Sequence, residues 1–435
     1  MNITRRRFVG AACVSLAAAR SARVWAEDSS VLETSSITNA WGKARTTRIQ
    51  VEEYDVFRGV EGRAYNHQSQ LVSYQGKLFA TWSMGIRDEE YPGQQMVLAM
   101  SADGGRSWST PSVVAPYHTG EFGMSVACSS GLRIHDGALI AYSGEWERSP
   151  WEQSPDVFDR DGNYRSPKCR TEARISHDLG RTWSEPRLIA PGFINYMPPS
   201  PTATGRLILP GNLTHAYTDD PAGLSGWKRS GIPGTPGDLV DTYMTSVISE
   251  SSRFLGTDDL LSEANFFQTD DGVIHMMMRN EHSRFLAVTE SRDNGETWSR
   301  PRLTHVTNSI SRSHFGRLPD GRFFYLSTPK PRDEKSGEDF HQYRFHAERT
   351  PAILAVSTDG VVFDRHYVIG DDREEGDQAS SGTDELRGAP RIPGKAKVGR
   401  YGYPYFHAMG DYGFVIYSKY KEDICVCRFP LSALD

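Results

Sequence analysis

One eight-residue pattern recurs along this chain and restricts its fold more than any other feature. Ser101-Ala-Asp103-Gly-Gly105-Arg-Ser107-Trp108 returns as Ser176-His-Asp178-Leu-Gly180-Arg-Thr182-Trp183 and again as Ser291-Arg-Asp293-Asn-Gly295-Glu-Thr297-Trp298. Each copy is followed by Ser and, three places after the Trp, by Pro111, Pro186 or Pro301. A copy one residue shorter, Ser357-Thr-Asp359-Gly360-Val-Val-Phe363, comes last. Asp hydrogen-bonds the backbone of its own turn, Gly supplies the left-handed conformation, and the aromatic ring packs back under the turn. A strand-like run precedes every copy: Met96 to Met100, Arg170 to Ile175, Phe285 to Thr289 and Ile353 to Val356. The pattern therefore reads as a hairpin turn between neighbouring strands.

The copies start 75, 115 and 66 residues apart. The wide interval fits two short units, and Asp219-Asp220 through Gly226-Trp227 reads as the turn of a unit that lost the pattern. Four-stranded units of roughly 60 to 70 residues over positions 45–435 predict an all-β fold, a closed six-bladed β-propeller. Trp108, Trp183 and Trp298 are each expected under their own turn. The Pro-rich and charged segments 147–168, 218–240 and 330–348 read as loops, with no linker inside the one domain.

The chain opens with Arg5-Arg6-Arg7-Phe8, an apolar run from Val9 to Ala19, and Val24-Trp25-Ala26 ahead of Glu27. A charged, an apolar and a small-residue region in that order read as an export signal over 1–26, and Arg6-Arg7-x-Phe looks like its twin-arginine type. Residues 27–44 then form an N-terminal extension, and the expected location is periplasmic or extracellular. Removing the signal takes away five arginines and no acid, moving the formal charge from −6 to −11. Such an acidic chain is a poor partner for nucleic acid, and the apolar run is too short for a stable membrane anchor. Cys128, Cys169, Cys425 and Cys427 remain. An oxidising compartment permits a bridge between the first two, and the second two share a strand face. The histidines lack metal spacing, so neither metal nor other cofactor is expected.

The repeated turn resembles the Asp-box, or BNR repeat, of the sialidase superfamily, whose fold is a six-bladed propeller. That resemblance implies site residues position by position. Leu261-Ser-Glu263, followed by an Asp-Gly turn and a strand ending at Arg279, is similar to the stretch that carries the family's catalytic Glu and a ligand-binding Arg. It implies Glu263 as the base that polarises the nucleophile and Arg279 as a carboxylate clamp. Arg349, which enters the strand before the last copy, is similar to the third arginine of the family's triad. Tyr401-Gly402-Tyr403 resembles the segment that presents the Tyr nucleophile, which makes Tyr403 the candidate. In the Gly85-Ile86-Arg87-Asp88-Glu89-Glu90 segment, Arg87 matches a binding arginine, and Asp88, Glu89 or Glu90 matches the general acid. Position 67 departs from the family. His67 stands where the first triad arginine belongs, replacing a permanently charged fork with a group that is mostly neutral at pH 7.

Read without the resemblance, Glu263 and Arg279 are also consistent with surface charge at strand ends, the three adjacent acids with a solvated loop, and one of the clustered tyrosines with aromatic core. His314, in Ser311-Arg312-Ser313-His314, ends a polar run just before a strand and joins the substrate-binding candidates. The first expectation is an exo-glycosidase that hydrolyses a terminal, acidic sugar of a glycan or oligosaccharide. A propeller-type uronate lyase using His and Tyr is the second, and a non-catalytic glycan-binding propeller the third.

Overall fold

The computed structural model describes residues 32–87, 89–120, 123–148, 169–192, 194–233, 261–280, 283–307, 309, 311–329, 349–371 and 399–435. Three early strands, β1 (Thr34–Thr38), β2 (Arg45–Arg48) and β3 (Glu52–Phe57), join sheets that later parts of the chain build. Blade one is β4 (Tyr65–Tyr74), β5 (Lys77–Gly85), β6 (Gln95–Ser101) and β7 (Ser112–Ala115). Blade two is β8 (Met124–His135), β9 (Ala138–Arg148), β10 (Arg170–Ser176) and β11 (Arg187–Pro191). Blade three is β12 (Ser200–Pro201), β13 (Leu207–Leu209), β14 (Thr214–Thr218) and β15 (Lys228–Gly231).

Blade four is β16 (Leu261–Gln268), β17 (Ile274–Asn280), β18 (Phe285–Ser291) and β19 (Arg302–Thr307), with β1 added in parallel beyond β19. Blade five is β20 (His314–Arg317), β21 (Phe323–Ser327), β22 (Ala352–Ser357) and β23 (Arg365–Gly370), with β2 added likewise. Blade six takes β24 (Gly402–Met409), β25 (Tyr412–Lys419) and β26 (Asp423–Pro430) from the end of the chain and β3 from its beginning. This is the expected six-bladed β-propeller; pairing β3 with β26 closes the ring of blades, each of which keeps only short edge strands.

All four copies of the pattern are turns between the third and fourth strands of their blades, and the segment at 219–227 is the corresponding turn of blade three. In blade one, Asp103 Oδ1 accepts the amides of Arg106 and Ser107, and its Oδ2 accepts the Ser107 hydroxyl at 2.6 Å. Asp220 does the same for Ala222, Leu224 and Ser225, and the Trp227 indole donates to Gly223 O at 3.1 Å as that of Trp108 does to Gly105 O at 3.0 Å. Blade six has no such turn, because its third and fourth strands come from opposite ends of the chain.

The turns also bind each blade to the one before it. Trp108 packs with Phe414 of blade six, Trp183 with Leu98 of blade one, Trp227 with Tyr142 of blade two, and Phe363 with Phe267 of blade four. Trp298 packs against Ile208 and donates to Ser230 Oγ at 2.8 Å, both in blade three. The core is accordingly a ring of six apolar clusters, one between each pair of adjacent blades. Cys425 and Cys427 are both buried in the cluster between blades five and six. Cys128 and Cys169 share a further cluster as unbridged thiols, so the disulfide allowed by the sequence is not formed.

Candidate active site

Antiparallel order places the starts of β4, β8, β16 and β24 at one end of the axis and the turn motifs at the other. Near that first end each of these innermost strands breaks register: between His67 and Gln70, Ser129 and Leu132, Ser262 and Asn265, and Gly402 and Tyr405. Each break holds a left-handed residue, Gln68 (φ 59°), Gly131 (φ 88°), Glu263 (φ 49°) or Tyr403 (φ 50°). An extra residue in one strand bends it and re-aims a side chain. Outside glycine such a conformation costs on the order of 1–3 kcal/mol, so the surroundings must hold it. At Glu263 they do: its amide donates to Asn212 Oδ1 at 2.9 Å and that of Ala264 to Gly211 O at 3.2 Å, both in blade three.

The two re-aimed side chains meet. Tyr403 Oη donates a short hydrogen bond to Glu263 Oε1, across 140 positions of sequence. Arg279 Nη1 bridges them, 2.7 Å from Glu263 Oε2 and 2.8 Å from Tyr403 Oη. The Tyr403 ring lies 5.0 Å from Cζ of Arg349 and 4.2 Å from the His67 ring centre. Burial, and then the Glu263 charge, push the Tyr403 phenol well above its ordinary pKa, against the opposing pull of Arg279 and Arg349. At neutral pH it therefore keeps its proton, and it can act as a nucleophile only by passing that proton to a neighbour within reach.

His67 is fully buried, and burial, followed by the charges of Lys421, Arg349, Arg312 and Arg279, drives its pKa well below 6.5. Its Nδ1 lies 2.5 Å from Ser418 Oγ, whose hydroxyl donates to Gly402 O at 3.2 Å. That chain puts the ring proton on Nδ1 and leaves Nε2 a bare acceptor without a partner among the described residues. Glu89 is paired with Lys421 and accepts from Tyr65 Oη at 3.3 Å. Burial raises its pKa, but Lys421, Arg349 and Arg279 together bring it below the ordinary value. Glu90 is buried, in the left-handed region at φ 59°, with its amide bonded to Gln94 Oε1 at 3.0 Å. Asp88 lies outside the described residues.

Arg87 lies over the Tyr91 ring at 5.6 Å. His314 stacks on Tyr405 at 3.9 Å and accepts the Phe406 amide at 3.0 Å on Nδ1, lining a cavity of about 830 Å³ farther along the axis with Asn265, Arg317 and His407. Sequence reasoning missed Arg312, which is 1% exposed, with Cζ 4.9 Å from the Tyr403 ring centre and Nη1 donating to Tyr196 O at 2.5 Å. The signal was its place two residues before an innermost strand, close to where His67, Glu263 and Tyr403 lie in theirs. Among the described residues, no group of three or more His, Cys, Asp or Glu side chains could hold a metal ion.

Residues 76–416 match the family described as BNR repeat-like domain. No curated protein matches the chain. Among solved structures it is similar to a sialidase at 17% identity and TM-score 0.53, covering 92% of this chain and 35% of that one. This chain thus spans about a third of that sialidase's length. It is also similar to the leech intramolecular trans-sialidase complexed with 2,7-anhydro-Neu5Ac, at 12% identity and TM-score 0.56, covering 89% of this chain and 71% of that one. The NanB sialidase of Streptococcus pneumoniae compares at 13% and 0.56, covering 87% and 71%. Likeness at these identities establishes the fold.

Proposed function

Because the chain belongs to the family of BNR repeat-like domains, we propose that it is an exported, sialidase-like exo-glycosidase acting on a terminal acidic sugar of a glycan. The observation that carries this reading is the Tyr403–Glu263 hydrogen bond with Arg279 bridging both partners. In the first step Tyr403 Oη attacks the anomeric carbon while its proton passes to Glu263 and the glycosidic C–O bond breaks. An acid of the 88–90 loop gives a proton to the departing oxygen. Glu89 is committed to its charged form by Lys421, which leaves that proton to Asp88 or Glu90. In the second step water attacks the anomeric carbon, the phenolate leaves and recovers its proton from Glu263, and the loop carboxylate takes the proton of the water. Arg279, Arg312 and Arg349 favour the phenolate in both steps, since positive charge beside Tyr403 stabilises its anion. Exposing the mature protein to a panel of terminally acidic glycans tests this reading. Release of a reducing acidic monosaccharide supports it, and an intact panel contradicts it.

A uronate lyase is the second reading, favoured by one observation. His67 is neutral and has an unpartnered Nε2, as a base abstracting a proton next to a carboxylate requires. Adding glycans with internal, 4-O-linked uronates to the panel separates the two, because a lyase expels the glycosyl oxygen at C4 and leaves an unsaturated, ultraviolet-absorbing uronate and a hydrolase does not.

A further inference from the structure

Charge is distributed unevenly around Tyr403. Toward blades four and five stand three guanidiniums, Arg279, Arg312 and Arg349, against one carboxylate, Glu263. Toward blade one stand His67 and the Lys421–Glu89 pair, whose charges cancel. Among the described residues, buried atoms of two side chains beside the Tyr403 ring have no hydrogen-bond partner, and they differ in kind: Nη2 of Arg312, a charged donor, and Nε2 of His67, a neutral acceptor. Leaving a buried donor or acceptor unmade is costly, and such a cost is relieved when a ligand supplies the missing partner. Arg312 Nη1 is anchored on Tyr196 O, which fixes the guanidinium with Nη2 still able to donate.

We propose that Arg312 is a specificity-determining residue: it holds the substrate carboxylate together with Arg279 and Arg349 on the side of Tyr403 toward blades four and five, while His67 Nε2 accepts a sugar hydroxyl on the blade-one side. The resemblance to sialidases implies a cation at position 67; this chain has moved it to the opposite flank of the nucleophile. The proposal rests on the glycan reading only for its choice of sugars as probes.

The test is calorimetric binding of D-glucuronate, D-galacturonate and N-acetylneuraminate, with neutral D-glucose and D-galactose as references, to the mature protein at pH 7. At least one acid should bind about tenfold or more tighter than the neutral sugars. Arg312→Met should remove most of that preference while changing neutral-sugar affinity by less than about threefold, and His67→Leu should weaken acids and neutral sugars by the same factor. The acid that binds best tells a hexuronate site from one for a nine-carbon keto acid. No preference for any acid in the wild type, or an acid-to-neutral ratio unaffected by Arg312→Met, overturns the proposal. If that variant does not fold, Arg312→Lys decides: the ratio should fall, and an unchanged ratio overturns the assignment. Acid binding that depends on Arg312 in a protein that cleaves no glycoside would contradict the glycosidase reading while supporting this one.

Discussion

The turns at one end of the propeller and the bulges at the other use one device, a residue in the left-handed region, for opposite purposes. In the turns that residue is followed or replaced by glycine, itself at positive φ, and an added Cβ would press on the preceding blade. At Gly295 it would stand 2.8 Å from Ile208 Cδ1, at Gly360 2.9 Å from Thr269 Cγ2, and at Gly180 3.2 Å from Leu98 Cδ2. At the axis three of the four left-handed residues carry long side chains, Gln68, Glu263 and Tyr403. A turn that must lie close to its neighbour tolerates one residue type and so repeats. A bulge whose task is to aim a side chain tolerates as many types as there are tasks, and so does not repeat.

Tyr403→Phe should produce the largest effect, because it removes the proposed nucleophile but leaves Glu263 paired with Arg279. We expect kcat to fall at least about a thousandfold, with a melting temperature within roughly 3 °C of wild type. Glu263→Gln keeps a hydrogen-bonding partner for the phenol but cannot take its proton; a loss of about 10²–10⁴ in kcat is expected. Large unfolding of either variant would mean that the axis, like the turns, serves stability first.

Gly295→Ala should act in the opposite sense, lowering stability by about 2–3 kcal/mol in denaturant melts and leaving kcat per folded molecule unchanged. Gly272, at φ 83° with nothing within 4 Å of an added Cβ, separates strain from collision. Gly272→Ala should lose only about 1 kcal/mol. Equal losses at the two glycines would remove collision with the neighbouring blade as the reason the turn repeats.

Acidity should distinguish the buried histidines from the turn aspartates by a smaller effect. His407 is held at about 4 by burial, and His67 and His314 lie well below 6.5 for the same first reason. A buried histidine that stays neutral in the fold but binds a proton when unfolded costs stability as pH falls below about 6.5, roughly 2 kcal/mol per group by pH 5. Asp103 and Asp178 have depressed pKa values from hydrogen bonds within their own turns. Their contribution is present above about pH 4 and is lost only as pH falls through the folded value. Melting temperature should therefore decline between pH 7 and 5, and His407→Gln should flatten that slope. An unchanged slope in that variant would assign the acid sensitivity elsewhere.

The same contrast explains what the sequence made legible. Asp103, Gly105 and Trp108 announce their turn because backbone bonding, left-handed geometry and the packed ring each demand a residue type, so the blades could be counted. Even the altered turn at Asp220 kept enough of the pattern to be found. Tyr403, Glu263, Arg279, Arg349 and His67 are named by a resemblance and not by periodicity; in the fold Glu263 and Arg279 bond Tyr403, and Arg349 and His67 lie beside its ring. Arg312 is not legible in this way, since a single arginine in a polar run carries no mark of burial. Strands β1 and β2 were not foreseen as outer strands of blades four and five. The exposed Arg45-Thr46-Thr47-Arg48 has no apolar alternation, and its position is set by pairing with Arg365 to Val368.

The most direct measurement of the central claim, that Tyr403 attacks the sugar with Glu263 as its base, is covalent trapping. The mature protein would be incubated with activated fluorinated glycosides of the acidic sugar it cleaves, then digested and its peptides weighed. The account predicts one added glycosyl group, on Tyr403, and none in Tyr403→Phe. A label on another residue, or turnover with an unlabelled Tyr403 under conditions that trap the intermediate, would contradict it.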